Sequence, residues 1–215
     1  MSEYTPHGIT HNTPKRVLLG AGTIHKGLQY DSGQKTWNYK ESLVGATSGG
    51  NTLTITPEFY TVEVDGALVK VKGLDVKQGE TASLEINLIE LTADILKSAV
   101  VGKENTDDAP ENYTLIESKP DIEEGDYWEN IAFVGKKLDG KNIIVILDNA
   151  LCTSGLSLEG QNKESAVPKY TFECYQDITG DVTVLPYHIY YPTEAQAKTQ
   201  SEAQSETRKE KLQCA

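Results

Sequence analysis

Several things are missing from this sequence, and each absence excludes something. There is no CxxC pair, and the three cysteines (Cys152, Cys174 and Cys214) are an odd number, which argues against a disulfide framework. Cys174 falls in the alternation Tyr170, Phe172, Cys174 and reads as a core residue. No apolar run approaches the roughly 18 residues that a membrane-spanning helix needs. The opening MSEYTPHGITHNTPKR has no apolar h-region, so the expectation is a protein made and kept in a cytoplasm. Clustered Lys and Arg are absent too. Net charge is −12, and from Glu104 to Asp126 a single base, Lys119, stands among acids, the wrong sign for gripping a phosphate backbone. That segment reads as a solvated acidic loop.

Catalytic signatures are missing as well. Gly20-Ala21-Gly22 lacks the spacing and the following Lys of a phosphate loop, and no GxSxG is present. His7 and His11 are four apart, but Gly8 and the neighbouring Thr and Pro disfavour a helix, and no third ligand is near. His25 and His188 read as packed or surface residues. The expectation is no catalytic, cofactor or metal site. No repeat of fixed period appears.

What is present is strand after strand. Leu53 and Ile55 alternate with threonines, and Tyr60, Val62 and Val64 alternate with Thr61, Glu63 and Asp65. Asp65-Gly66 predicts a tight type I′ hairpin that sets Val62 opposite Val69 and Tyr60 opposite Val71. Leu84, Ile86 and Leu88 form a further alternation. The period then changes: Leu91, Ile95, Leu96, Ala99 and Val100 make one helical stripe over 92–101, with Thr92 to cap its start and Gly102 its end.

Elsewhere, residues 1–16 read as an extended arm, and 17–27 as a strand interrupted by glycines. Residues 28–50 form a long polar loop holding Tyr30, Trp37 and Tyr39. With no aliphatic period to bury them, these three aromatics are candidate contact residues. Trp128–Val134 reads as a strand, 138–141 as a turn, and the wholly apolar Ile143–Leu147 as a strand buried on both faces. Short strands are expected at Leu156–Leu158, Lys169–Tyr175 and Val182–Leu185, with a turn at Thr179-Gly180-Asp181. Leu185–Pro192 is a Tyr-rich end of the domain, and 193–215 reads as a polar tail without a core. The fold class is mainly β: a β-sandwich or barrel over 17–192 with one short flanking helix.

Three stretches carry a family likeness: Asn12-Thr13-Pro14 leading into Leu18-Leu19-Gly20-Ala21-Gly22-Thr23; Gly45-Ala46-Thr47-Ser48-Gly49-Gly50 followed by a strand, Glu58 and Val64-Asp65-Gly66; and Leu84–Leu88 running into Glu90-Leu91-Thr92 and the helix. In these, about the first half of the chain, the sequence resembles the major tail (tail tube) proteins of long flexible-tailed bacteriophages. The resemblance implies a virion structural protein, assembled in the host bacterial cytoplasm, that forms hexameric rings stacked into a tail tube. Viral DNA passes through such a tube without specific binding. Partners implied are the protein itself, a tape-measure protein, and tail terminator and tail-tip proteins. The arm 1–16 and the loop 28–50 would join ring to ring, with Tyr30, Trp37 and Tyr39 as inter-ring contacts. Two alternatives stay open: the inner tube of a contractile tail, and a carbohydrate-binding β-sandwich stacking sugars on Trp37, Tyr39 and Trp128.

Overall fold

The computed structural model describes residues 7–160, 162–163 and 165–193. Residues 1–6 of the expected arm, Cys214 and the expected tail beyond Thr193 lie outside the described residues. In chain order the strands are β1 (Leu18–Lys26), β2 (Tyr30–Asp31), β3 (Thr36–Trp37), β4 (Thr52–Thr61) and β5 (Asp75–Asn87). The one α-helix among the described residues, α1 (Ala93–Val100), follows. Then come β6 (Lys103–Asn105), β7 (Leu115–Glu117), β8 (Trp128–Lys137), β9 (Asn142–Cys152), β10 (Lys169–Cys174) and β11 (Tyr187–Tyr190). The fold is mainly β with one short flanking helix. An antiparallel sheet in the order β1-β8-β9-β10-β5-β4 curls into a half-barrel.

The centre of the sheet is the pair β8–β9, and its register explains the apolar run at 143–147. Ile131 pairs with Leu147 and Phe133 with Val145 on one face; Ala132 pairs with Ile146 and Val134 with Ile144 on the other. Side chains alternate across a strand, so a run apolar at every position needs cover on both sides. It has that cover. The first face joins the main core with Ile24, Leu84, Ile86, Tyr170 and Phe172. The second joins a smaller cluster with Leu28, against which Trp37 and Tyr39 pack.

The far edge of β9 is shared. β11 pairs with it over Ile144–Leu147, and β10 over Ala150–Cys152. Between them Asn149 takes a positive φ of 48° and the Asp148 N–H donates to the Pro186 carbonyl at 3.0 Å. The sheet forks there, and the main core fills the fork.

α1 starts where expected: the Thr92 hydroxyl accepts from the Ile95 N–H. Its buried face is Ile95, Ser98 and Ala99, while Leu91 and Val100 are exposed, so the stripe is narrower than the period suggested. The left-handed residue at its end is Val101, φ 47°, not Gly102. Gly102 is small for another reason: a Cβ there would lie 2.8 Å from the Glu117 carbonyl oxygen. Trp128 ties the helix to the sheet, its indole N–H donating to Ser98 Oγ at 2.8 Å and its ring tilted against Phe172 at 4.5 Å.

Other expectations need correction. Residues 52–56 and 60–64 are not two strands; β4 runs through Thr61 with a bulge at Glu58–Phe59. Tyr60 lies opposite Val76, not Val71, and Val62 does not face Val69. A type I′ turn needs positive φ at both central residues, and only Gly66 has it, at 84°. Asp65-Gly66 instead makes a local turn, with the Ala67 N–H bonded to the Val64 carbonyl, inside a longer 62–74 tip. Leu156–Leu158 and Val182–Leu185 are not strands. Both are largely exposed, and β10 and β11 already occupy the edge of β9 where a further strand would pair. The acidic 104–126 segment is not wholly loop: β6 pairs with β7 beside α1, and Lys119 is held by Glu123 at 2.8 Å and Asp126 at 2.7 Å. No helix among the described residues is long and apolar enough to cross a membrane.

Candidate functional site: two unmatched surfaces

The loop 28–50 is stitched to the sheet. Its first half turns back as the small β2–β3 ladder, Tyr30 opposite Trp37. Asn130 on β8 fixes its start, accepting the Leu28 N–H at 2.9 Å through Oδ1. Asn38 binds across it, accepting from the Gln29 N–H at 2.8 Å and donating to the Gly27 carbonyl at 3.2 Å. The Lys26 N–H reaches the Ser42 carbonyl and the Val44 N–H the Ile24 carbonyl, so 42–44 runs along β1 as an extra edge. The underlying reason is general: backbone groups near a buried surface need partners, and polar side chains of small size supply them.

A Ser–His pair sits at this junction. His25 Nδ1 lies 2.9 Å from Ser42 Oγ, and Nε2 lies 2.9 Å from Thr23 Oγ1. Burial holds the imidazole pKa below its ordinary value. Ser42 is not an activated nucleophile, because its own proton goes to the Asn38 carbonyl at 2.9 Å. The neutral ring therefore donates from Nδ1 to Ser42 and accepts at Nε2 from Thr23. Both residues are buried. The arrangement locks the loop.

Outside this lock lies a groove. One cavity of about 470 Å³ is lined by Leu19, Gly22, Thr23, His25, Tyr39, Leu43, Val134, Lys136 and Asn142. A Cβ on Gly22, at φ 74°, would fall 2.4 Å from the Phe133 ring, so the bulge in β1 beside this cavity needs glycine. A second cavity, of about 550 Å³, is lined by Tyr30, Trp37, Tyr39, Lys141, Asn142, Ile144, Tyr190, Tyr191 and Pro192. Tyr39 and Asn142, whose side chains meet at 3.4 Å, line both, so the two cavities adjoin over the second face of β8–β9 and together make a groove. Trp37 lines the second cavity, edge-on to Tyr30 at 5.3 Å and to Tyr190 at 5.0 Å.

The three aromatics singled out in the sequence thus come together, but not as an unburied cluster. Trp37 and Tyr39 are half-buried against their own sheet, and only Tyr30 is half exposed. The expectation that nothing in the fold would cover them is corrected; the cover comes from Ala132, Val134, Ile144 and Ile146, about a hundred residues away. Trp128 is buried at 4% exposure and belongs to the main core, so it offers no stacking platform. Sequence reasoning missed Tyr190 and Tyr191 as groove residues. The Tyr-rich composition of 185–192 was a signal, but its pairing partner was not visible.

The second unmatched surface is the outer part of the β4–β5 hairpin. β10 pairs with β5 only over Ser83–Asn87, so the outer part of the β4–β5 hairpin runs on without a neighbouring strand. Phe59, Tyr60, Val62, Val64, Leu68, Val69, Val71 and Val76 are all exposed along it, Leu68 at 96%. This is an arm made of residues that ordinarily form cores. So many exposed apolar residues on one hairpin make it a candidate interaction site.

Cys152 and Cys174 are free and buried, and burial, with Asp148 close by, pushes the Cys174 thiol up to about 12. Burial raises the Asp148 carboxyl, and His188 at 3.1 Å partly offsets this. Among the described residues no group of three or more His, Cys, Asp or Glu could hold a metal ion. No family model matches the chain, and no curated protein matches it.

Proposed function

We propose that this chain is a structural subunit that assembles with copies of itself, as the tube-forming protein of a bacteriophage tail. The observation that carries the reading is the bare apolar arm of β4–β5, which costs solubility in a monomer and is stabilised only when another surface covers it. Open backbone edges support it. β4 is the last strand on one side of the sheet, and on the other the 42–44 segment covers β1 only near 24–26. Edges of this sort are consumed by pairing between subunits. The sequence likeness to tail tube proteins supplies the rest: stacked hexameric rings assembled around a tape-measure protein, in a virion tail. Net charge of −12 suits a lumen that repels a passing duplex, leaving DNA no place to stick.

The test is negative-stain electron microscopy and size measurement of concentrated protein. Rings or tubes are expected. A protein that stays monomeric at high concentration, with or without a tape-measure protein, sinks the reading. Tubes bound by a co-expressed sheath protein would indicate the contractile variant instead. Residues 7–16 contain no buried residue, so removal of 1–14 is expected to leave the subunit folded and to hinder ring stacking. Normal tube length in that truncation counts against a joining role for the arm.

One observation favours a second reading. Tyr30, Trp37, Tyr39 and Tyr190 share a groove whose rings and hydroxyl tips could stack a sugar. A carbohydrate-binding module predicts glycan binding by the monomer that is lost in Trp37→Ala.

A further inference from the structure

The arm and the groove belong to different strands of the sheet, and among the described residues no hydrogen bond or ion pair joins the tip of the arm to the groove. The groove lies over β1, β8 and β9, whereas the arm belongs to β4 and β5, which follow β10 in the strand order. The arm projects past the end of its neighbouring strand β10 and ends in the exposed apolar residues Leu68 and Val69. The groove is concave, and Leu19, Leu43, Trp37 and Tyr191 give it apolar walls. Charge is divided between the two limbs of the arm, and the returning limb holds the bases Lys70, Lys72 and Lys77. The rising limb of the arm, 57–65, carries Glu58, Glu63 and Asp65 and no base. The lining of the groove carries Lys136 and Lys141 and no acid.

We propose that the β4–β5 arm of one copy seats in the β1–β8–β9 groove of a second copy. This rests on the reading of the chain as a self-assembling subunit and names the contact that would drive it. The contact is heterologous: it joins two different patches, so an open assembly keeps one free arm at one end and one free groove at the other until a ring closes. The apolar tip supplies burial, and the acidic limb against the two lysines sets the direction in which the arm lies.

The experiment uses two variants of the full chain. Leu68→Asp with Val69→Asp spoils the arm. Leu19→Glu with Lys136→Glu spoils the groove. All four positions are exposed, and circular dichroism checks that each variant is folded. If a double variant unfolds, the single changes Val69→Asp or Lys136→Glu take its place. Each variant alone is expected to raise the concentration needed for assembly on the order of 100-fold or more, since anchor residues of this kind dominate an interface. Mixed in equal amounts, the two should form a one-to-one complex that grows no further, because the mixture holds only one intact arm–groove pair per two chains. Analytical ultracentrifugation reads both results. Variants that assemble like the unaltered chain overturn the contact while leaving self-assembly standing. A mixture that stays monomeric overturns it too, because arm and groove would then have other partners. An unaltered chain that never assembles removes the underlying reading along with it.

Discussion

The hairpins β8–β9 and β4–β5 are both long, antiparallel and rich in apolar residues, yet they end in opposite conditions. β8–β9 is covered on both faces, and from Ile144 to Leu147 almost nothing of it reaches solvent. β4–β5 is covered only near its base. There Ala82, Leu84 and Ile86 are buried, and Phe172 and Tyr170 lie beside Leu84 and Ile86 in register. Past Ser83 the neighbouring strand stops, and the same kind of residue stands in water. The difference is not hydrophobicity but supply of partners. Within one chain an apolar strand is core where something crosses it, and otherwise it is a surface awaiting a second molecule.

Mutations can sharpen or break this contrast. The largest effect is expected at the covered base. Ile86→Asp puts a carboxylate into the main core at a fully buried position, and a loss of about 4 kcal/mol or more is expected in urea unfolding. An unchanged midpoint would mean the face is assigned wrongly. Next comes the second cluster: Trp37→Ala with Tyr39→Ala removes half-buried rings from the sheet and should cost about 3 kcal/mol of thermal stability, short of the loss for fully buried aromatics. A variant as stable as the parent would return those rings to a purely intermolecular role. Ser42→Ala leaves His25 Nδ1 without its acceptor and should cost about 1–2 kcal/mol.

A pH dependence belongs to the same lock. His25 has a lowered pKa in the folded chain because burial opposes its charge. Between the folded pKa and the ordinary imidazole value the unfolded chain binds the extra proton, so stability rises with pH across that window and is lost on acidification. His25→Gln should flatten this slope in unfolding curves taken at several pH values. Asp148, raised by burial, contributes with the opposite sign in the carboxylate range and remains in the variant. The smallest effect is expected at the bare tip: Leu68→Asp should change monomer stability by no more than about 0.5 kcal/mol. A loss beyond 1 kcal/mol would show that the tip is already packed within its own chain.

Periodicity made the strands legible wherever the cover was local or complete. The unbroken run Ile143–Leu147 announced a doubly covered strand, and Leu84, Ile86 and Leu88 announced a one-sided face; both are found. What alternation cannot show is whether a partner exists. Val182–Leu185 has strand composition, but the Gln176 side chain takes its Val184 carbonyl and it joins no strand, and Val62–Val71 has strand composition and no sheet beyond Thr61. The groove was half legible. Tyr30, Trp37 and Tyr39 stood out as aromatics in a polar loop, but Tyr190, Tyr191 and the floor from Ala132 to Ile146 reach it only through pairings of long sequence separation. The Asp65-Gly66 turn shows a smaller limit: the dipeptide marks a reversal, while the φ of its first residue, fixed by context, decides which kind.

The shared edge of β9 also sets a timetable for synthesis. β8 and β9 can close on each other through the 138–141 turn as soon as both have left the ribosome, because their pairing is local. But β9 gains its far neighbours only from β10 and β11, and β11 ends at Tyr190. Until then Ile144–Leu147 presents an apolar strand with an unpaired edge, the kind of transient surface on which nascent chains aggregate. A subunit needed in many copies at once would pass through that window on every ribosome making it. Its yield would depend on how fast the last strand arrives, and slow translation between β9 and β11 would be paid in inclusion bodies.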